Sequence, residues 1–380
     1  MSDLHGVLQS SVDDGSVPGA VALVARGGHV EVCAAGSADV EGAVPMARDS
    51  IFRIASATKP ITAAAVMMLV DDGRIALDEE IRTWLPELAS PSVVRTPSSP
   101  VDDVVAAARP ITVADLLTFR AGWGFPSDFS LPAVAPLFTV LQQGPLPATA
   151  APDEWLAALA GVPMLNQPGD AWLYNTCSDA LGVLVARVSG VAFPEFLAER
   201  LFGPLGMVDT GFAVPSGALA RLVRYYRPTP GGGRELVDDR DGRWSSPPTF
   251  PSGAGGLVST VDDWWAFGRM LLAGGTVDGH RLLSSEAVAL MTTDHLTTPQ
   301  RAAAALFLEG QGWGFGGSVD VAPVDPWNVA GRYGWVGGTG TATHVVPATG
   351  AVTVLFSQVE MTGPTAPALM REFWTCVATR

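Results

Sequence analysis

Segments with strand character lie at both ends of this chain, and segments with helix character fill the middle. Residues 20–25 form an apolar run, a glycine pair follows at 27–28, and residues 29–34 alternate polar and apolar side chains. This order is typical of a β-hairpin. Residues 341–346 and 351–356 near the other end are also strand-like. Because strands are stable only beside other strands, both ends of the chain are predicted to share one antiparallel sheet.

The same order predicts how the chain divides into domains. Residues 1–75 and 305–380 are expected to form a discontinuous α/β domain, and residues 76–304 a mostly helical inserted domain. Helix patterns occupy residues 4–14, 111–119, 153–159, 178–188, 193–201, 261–272, 284–291 and 364–377. Two segments rich in Pro, Ser, Gly and Asp, 90–110 and 226–252, are interpreted as surface connections. The predicted fold class is therefore α/β, with an antiparallel sheet flanked by helices.

Composition narrows the function classes. The 380 residues are 48% hydrophobic and 16% charged, which is typical of a globular protein. A net charge of −15 argues against nucleic acid or an anionic membrane as partner. The N-terminus lacks a basic region followed by an apolar stretch, and no apolar run approaches the roughly 20 residues that span a bilayer. We therefore expect a cytoplasmic protein with a small-molecule substrate. The five histidines and three cysteines show no metal-ligand spacing, so neither a metal nor a cofactor is predicted.

Lys59 is the only lysine in the chain, and every other basic side chain is an arginine. Arginine cannot give up its proton near neutral pH, whereas a buried lysine can. Ser56 lies three residues before Lys59. Residues 57–69 are rich in helix formers, so both side chains should lie one turn apart on the same helix face. The pair is therefore a candidate nucleophile and general base.

The segment around this pair resembles that of a known family. Residues 52–60 resemble the Ser-x-x-Lys segment of the serine β-lactamase-like superfamily, and in particular of the class C β-lactamase-related esterases called family VIII carboxylesterases. Further resemblances to this family follow in the family's order, at residues 116–122, 168–175, 201–207, 255–260 and 334–338. The resemblance implies a β-lactamase/penicillin-binding-protein-like fold.

It also implies roles for particular residues. Ser56 would attack a carbonyl carbon, Lys59 would accept its proton, and Tyr174 would relay a proton to the leaving alkoxide or share the role of base. The backbone N–H groups of Ser56 and Gly338 would form the oxyanion hole. The family usually has Tyr-x-Asn where this chain has Tyr174 followed by Asn175 and Thr176. Thr176 takes the position of the family's asparagine, so Asn175 is expected to point away from Lys59.

The third motif also departs from the usual form. β-Lactamases and penicillin-binding proteins usually have Lys-Thr-Gly, whereas this chain has Trp335, Val336 and Gly337. Without that cation, a β-lactam or peptide carboxylate loses its natural partner, and an indole favours an apolar group instead. The residues predicted to bind substrate are Trp335, Gly337, Asn175, Trp123, Phe125 and Tyr333.

These patterns predict a serine hydrolase that cleaves small carboxylic esters through an acyl-enzyme. A β-lactamase or D-amino-acid peptidase or amidase with the same site is an alternative, and an acyltransferase would share the acyl-enzyme. A catalytically silent scaffold protein is a further alternative. No Gly-x-Ser-x-Gly segment is present, which argues against an α/β-hydrolase.

Overall fold

The terminal strands meet in one sheet, as the sequence predicts. The structure is a computed structural model, and it describes residues 3–379. In the described chain, seven strands form an antiparallel sheet in the order β11-β12-β13-β14-β15-β1-β2. The sheet joins the N-terminal and C-terminal parts of the chain, because β1 pairs with β15 in a register that places Val21 opposite Phe356. The prediction of a shared sheet is confirmed.

The strands and helices of the described chain have the following bounds. The strands are β1 (Gly19–Arg26), β2 (His29–Gly36), β3 (Phe52–Arg53), β4 (Ser92–Val94), β5 (Val104–Ala106), β6 (Tyr225–Pro228), β7 (Arg234–Asp238), β8 (Val258–Ser259), β9 (Thr276–Val277), β10 (His280–Arg281), β11 (Gly312–Trp313), β12 (Ser318–Val319), β13 (Tyr333–Gly337), β14 (Thr341–Val346) and β15 (Ala351–Ser357). The helices are α1 (Leu4–Asp13), α2 (Lys59–Asp71), α3 (Val113–Leu117), α4 (Ala135–Thr139), α5 (Pro152–Ala160), α6 (Thr176–Ser189), α7 (Phe193–Leu197), α8 (Gly203–Leu205), α9 (Val261–Leu272), α10 (Ser285–Met291), α11 (Thr298–Ala303), α12 (Ala305–Leu308) and α13 (Ala368–Ala378).

Strand β1 shows why helices cover both faces of the sheet. Alternate side chains of a strand point to opposite faces, and in β1 both sets are buried. Ala20 and Ala22 pack in the core formed with α1 and α13. Val21 and Leu23 pack in the larger core that includes α2 and α9. The result is a helix–sheet–helix arrangement, which matches the predicted fold class.

Helix α9 packs directly on the sheet, against β1, β14 and β15. The approach is close at Gly268, where an added Cβ would lie 2.7 Å from a methyl group of Val352. This helix belongs to residues 76–304, which the sequence assigns to the inserted domain. A helix from residues 76–304 therefore packs on the sheet of the predicted α/β domain. The division into two domains stays a prediction.

Helix α2 is the central helix that carries the site. All side chains from Lys59 to Leu69 are buried, because the helix packs between the sheet layer and α6. A 3-10 turn, Ala55–Thr58, precedes it, and Pro60 lies in its first turn, where proline lacks only a hydrogen bond that would be unmade anyway. The predicted helix start near Ser56 is confirmed.

Two predicted surface connections contain short hairpins. Strands β4 and β5 pair within residues 90–110, and β6 and β7, which begin one residue before the second segment, pair across residues 225–238. Their strands are three to five residues long, too short for an alternating pattern to stand out against Pro, Ser and Gly. In the described chain no single helix has the length and hydropathy to cross a bilayer; the pair Thr176–Ser189 and Phe193–Leu205 meets those criteria only jointly, across an 80° bend.

Candidate active site

Ser56 lines a cavity and lies in the 3-10 turn that leads into α2. The residue before it, Ala55, has a φ of 42°, in the left-handed region that a residue with a Cβ rarely adopts. Such backbone strain persists only where the surrounding structure enforces it, and it is often found at functional sites. The strained turn holds Ser56 at the surface of the cavity while its neighbours Ala55, Ala57 and Thr58 are buried.

Lys59 reaches Ser56 from one turn further along. Its Nζ lies 2.8 Å from the Oγ of Ser56, 2.9 Å from the Oδ1 of Asn175 and 2.7 Å from the carbonyl oxygen of Ala254. The side chain is completely buried. Burial lowers the pKa of Lys59 from 10.5 to about 7, because the charged form loses its hydration, and the nearby Asp179 carboxylate opposes this shift. A large fraction of Lys59 is therefore neutral at physiological pH.

The three partners of Lys59 match the bonding capacity of a neutral amine. Such an amine has two N–H groups and one lone pair. Asn175 Oδ1 and the Ala254 carbonyl can only accept, so they take the two N–H groups. The lone pair is then left for the hydroxyl proton of Ser56, at 2.8 Å. The protonated form of Lys59 donates to all three oxygens, whereas the neutral form can accept the hydroxyl proton of Ser56 in the same geometry.

Tyr174 completes the chain of hydrogen bonds at Ser56. Its Oη donates to Ser56 Oγ at 2.8 Å and accepts from the indole Nε1 of Trp335 at 2.7 Å. Burial raises the pKa of Tyr174 to about 12, although its hydrogen bonds to Ser56 and Trp335 oppose the shift. The phenol is therefore protonated at neutral pH. Of the two residues that could share the role of base, only Lys59 is deprotonated to a large extent in that range.

The expectation for Asn175 and Thr176 was wrong. Asn175 does not point away from Lys59 but accepts its hydrogen bond, and it also lines the cavity. Its backbone has φ 87° and ψ −61°, a rare and strained γ-turn conformation that is least accessible to a β-branched residue such as threonine. Thr176 is the first residue of α6, and its Oγ1 donates to Gln143 Oε1 at 3.0 Å. The backbone turn at Asn175, one position earlier than the family spacing implies, brings its amide to the lysine.

Asp179 is a functional candidate that the sequence reasoning missed. It lies one turn after Asn175 in α6, is 6% exposed, and lines the cavity. Its Oδ1 accepts hydrogen bonds from Ser252 Oγ at 2.6 Å and from the backbone N–H of Ala254 at 3.1 Å. Since the carbonyl of Ala254 holds Lys59, Asp179 fixes the peptide segment that positions the lysine. The available signal was a carboxylate in the mainly apolar helix α6, because a carboxylate is rarely buried without a partner.

The third motif, residues 335–337, lies on strand β13 and contributes to the lining of the cavity that contains Ser56. Strand β13 pairs with β14 along residues 335–337, whereas β12 pairs only with Tyr333 and Gly334. Among the described residues, the other edge of this stretch therefore has no strand partner. Trp335 and Gly338 line the cavity together with Ser56. An added Cβ at Gly338 would meet no atom within 4 Å, so the backbone there is accessible from the cavity.

Gly337, which the sequence predicts to bind substrate, is not among the residues that line the cavity. A Cβ at this position would lie 2.3 Å from the carbonyl oxygen of Ile54 and 2.2 Å from Thr341 Oγ1. Glycine is needed here because β13 packs closely against the segment that leads to Ser56. Its contribution is to the spacing between the strand and the nucleophile turn.

Of the three other aromatic residues predicted to bind substrate, only Phe125 lines the cavity. Trp123 is 2% exposed, and its Nε1 donates to the carbonyl of Val162 at 2.8 Å. Tyr333 is fully buried, and its hydroxyl donates to the carbonyl of Phe315 at 2.6 Å. Neither Trp123 nor Tyr333 lines the cavity, and each satisfies its polar atom inside the core.

The cavity itself has a volume of about 300 Å³, which fits a small organic molecule. Its lining is mainly apolar and contains no lysine, arginine or histidine within the described chain. The side chains in the lining that carry a polar atom are Ser56, Gln142, Gln143, Trp155, Tyr174, Asn175, Asp179, Ser252, Trp335 and Glu360. The site thus combines an activated hydroxyl with an apolar binding surface that lacks a cation.

Known proteins are similar to this chain in sequence and in fold. A sequence model of the family described as Beta-lactamase matches residues 4–371. An uncharacterised protein of Mycobacterium tuberculosis is 39% identical over 346 residues, which cover 87% of this chain and 82% of that protein. Lovastatin esterase of Penicillium rubens is 32% identical over 354 residues, which cover 87% of this chain and 86% of the esterase.

Among solved structures, EstCE1, described as a hydrolase with promiscuous acyltransferase activity, superposes with a TM-score of 0.78. The match is 24% identical and covers 98% of this chain and 96% of EstCE1. Such a likeness shows the same fold.

Proposed function

The chain belongs to the beta-lactamase family and has its fold, and on that premise we propose that it is a serine carboxylesterase that acts on small esters. The observation that carries the proposal is the directed chain of hydrogen bonds at Ser56. Trp335 donates to Tyr174, Tyr174 donates to Ser56, and neutral Lys59 is placed to accept from Ser56. An arrangement of this kind activates a hydroxyl for attack on a carbonyl carbon.

The proposed reaction has two halves. In the first, the proton of Ser56 moves to Lys59 Nζ as Oγ bonds to the carbonyl carbon. The backbone N–H groups of Ser56 and Gly338 hold the negative oxygen of the tetrahedral intermediate. The bond to the leaving alkoxide then breaks, the alkoxide takes the proton of Tyr174, and the proton on Lys59 restores the phenol. In the second half, water attacks the acyl-enzyme, and the same groups return Ser56 to its starting state.

The charge of the cavity favours esters over β-lactams and peptides. Those substrates carry a carboxylate that needs a cationic partner. Trp335 stands at the position of the usual lysine, and its indole N–H is already bonded to Tyr174. Asp179 and Glu360 add acidic groups to the lining. The proposal retains the predicted cytoplasmic location and small-molecule substrate.

A comparison of substrates tests the proposed function. The purified protein is expected to hydrolyse p-nitrophenyl acetate and butyrate, and to turn over a chromogenic cephalosporin at least about a hundredfold more slowly, since a missing ion-pair partner costs several kcal/mol. Equal or faster turnover of the cephalosporin would make the β-lactamase alternative the better account. Product analysis with added alcohols would show transfer in place of hydrolysis.

A pH profile tests the role of Asp179. Since Lys59 must be neutral to accept a proton and its pKa is about 7, kcat/KM is expected to fall as the pH drops through that value and to level off above it. In its ionised form Asp179 raises the pKa of Lys59, while burial raises the pKa of Asp179 itself and its hydrogen bonds from Ser252 and Ala254 oppose that rise. In Asp179→Asn the amide oxygen can still accept from Ser252 and Ala254, but the charge is gone. The acidic limb should therefore move to lower pH.

Asp263→Asn is the matched control for this experiment. Asp263 is also buried, at 6% exposure, but it binds Thr210 and the backbone of Asp209 instead of the lysine site. Its substitution should leave the acidic limb in place. An unchanged limb in Asp179→Asn would show that this carboxylate does not act on Lys59.

A further inference from the structure

Four phenylalanines form a continuous surface along one side of the cavity, which we call the aromatic wall: Phe125, Phe129, Phe138 and Phe307. The ring centroid of Phe125 lies 5.4 Å from that of Phe129 and 4.9 Å from that of Phe138. Phe307 lies 6.0 Å from Phe129 and 4.9 Å from the ring of Tyr174. These spacings are typical of packed aromatic pairs. The wall therefore runs without a break from Tyr174 at the reacting centre to the outer part of the cavity.

The outer part of the wall is exposed. Phe129 is 43% and Phe138 is 47% accessible to solvent, whereas Phe125 and Phe307 are each 8% accessible. A single exposed apolar residue needs no explanation, but clustered ones mark binding surfaces. Val140, which is 50% exposed, lies two residues after Phe138 and extends the apolar segment. The exposed rings are in contact with buried rings that lead to Tyr174, so an apolar ligand group could cover them while its ester lies at Ser56.

The charges around the cavity restrict what that ligand can carry. Glu360 lines the cavity, and its carboxylate accepts hydrogen bonds from Tyr225 Oη at 2.8 Å and Arg227 Nε at 3.0 Å. Arg227 is thus engaged by Glu360, and it is not part of the lining. With Asp179 also in the lining, a substrate carboxylate would meet acidic groups and no cation of the described chain. Desolvating such a carboxylate without a partner is unfavourable.

Resting on the proposed ester hydrolysis, we infer that the substrates are uncharged esters with a large apolar group, aryl or long alkyl, which lies along the aromatic wall. Either half of the ester could supply that group, since both acyl and alcohol parts of a bound ester lie near Ser56 and Tyr174. Among small esters, those without such a group, for example ethyl acetate, would then be poorer substrates than those with it, because they leave Phe129 and Phe138 uncovered.

The inference is tested by the ratio of kcat/KM for a large apolar ester to kcat/KM for a small one, measured in the wild type and in variants of the aromatic wall. In the wild type, kcat/KM should be higher for p-nitrophenyl octanoate than for p-nitrophenyl acetate. The double variant Phe129→Ala/Phe138→Ala is expected to lose ~60 Å² of apolar contact with the octanoate chain. This loss corresponds to roughly a tenfold fall in the ratio of octanoate to acetate kcat/KM. Both side chains are exposed, so the variant should fold. The ratio of kcat/KM for naphthyl acetate to that for ethyl acetate makes the same comparison for the alcohol half of the ester. Whichever ratio falls in the double variant identifies the half of the ester that contacts the aromatic wall.

Two further comparisons complete the experiment. Leu236→Ala is the matched control, because Leu236 is 46% exposed but lies outside the cavity lining, and it should change neither ratio. The p-nitrophenyl monoester of adipic acid should be a much poorer substrate than p-nitrophenyl hexanoate in the wild type. Unchanged ratios for both halves in the double variant, or equal use of the adipate and hexanoate esters, would overturn the inference. Failure of the wild type to hydrolyse any of these esters would instead refute the proposed function itself.

Discussion

Replacing Ser56 by alanine is expected to lower kcat for p-nitrophenyl ester hydrolysis by at least about a thousandfold, because the variant has no nucleophile to form the acyl-enzyme. The change removes one oxygen atom, to which Lys59 and Tyr174 are both hydrogen-bonded. Those two side chains retain Asn175, Ala254 and Trp335 as partners, so the fold should be preserved. Initial rates and thermal unfolding of the purified variant measure both effects.

Ser178→Ala is the matched control for this substitution. Ser178 is a buried serine of α6, and its Oγ has no hydrogen-bond partner among the described residues. Its replacement should leave the rate of ester hydrolysis close to that of the wild type. An active Ser56→Ala enzyme would remove the basis of the proposed mechanism, whatever the substrate.

Replacing Lys59 by arginine is expected to lower kcat/KM by at least about a hundredfold, which is the low end of what a general base contributes. Arginine keeps the positive charge and several N–H donors but cannot lose its proton at neutral pH. The neutral amine that accepts from Ser56 would therefore be lost. The rate should stay low across the pH range in which the wild type is active, and a pH profile of the variant measures this.

Because the site of Lys59 is fully buried, a larger guanidinium could also disturb packing. Lys59→Gln is a useful companion, since glutamine is neutral, is smaller, and can donate to the Asn175 or Ala254 oxygen. Both variants should be inactive while their thermal unfolding shows a folded protein. Substantial activity in Lys59→Arg would mean that another group accepts the serine proton.

The parts of the fold that sequence could predict are those with a strong local pattern. The hairpin of residues 20–34 and the strands of residues 341–356 have apolar periods and glycine turns, and the terminal sheet follows from them. Helix α2 was equally clear, since it is rich in alanine and ends at Asp71. Because Ser56 and Lys59 are three residues apart, this local structure alone brought them together.

The features of the site that could not be predicted depend on three-dimensional geometry, which no local sequence pattern encodes. One backbone angle, the positive φ of Asn175, decides which of two neighbouring polar residues faces Lys59. Asp179 reaches the site through Ser252 and Ala254, which are more than 70 residues away in sequence. Trp123 and Phe125 are two residues apart, yet one lies in the core and the other lines the cavity. In a loop, sequence spacing gives no period from which to choose between them.

The most direct test of the central claim is labelling of the folded protein with a fluorophosphonate, followed by mass spectrometry of its peptides. The probe forms a phosphorus–oxygen bond to an activated serine as fluoride leaves. We expect a single adduct on Ser56, formed at a rate that rises with pH through about 7, where Lys59 becomes neutral. No adduct, or an adduct on a different residue, would contradict the account.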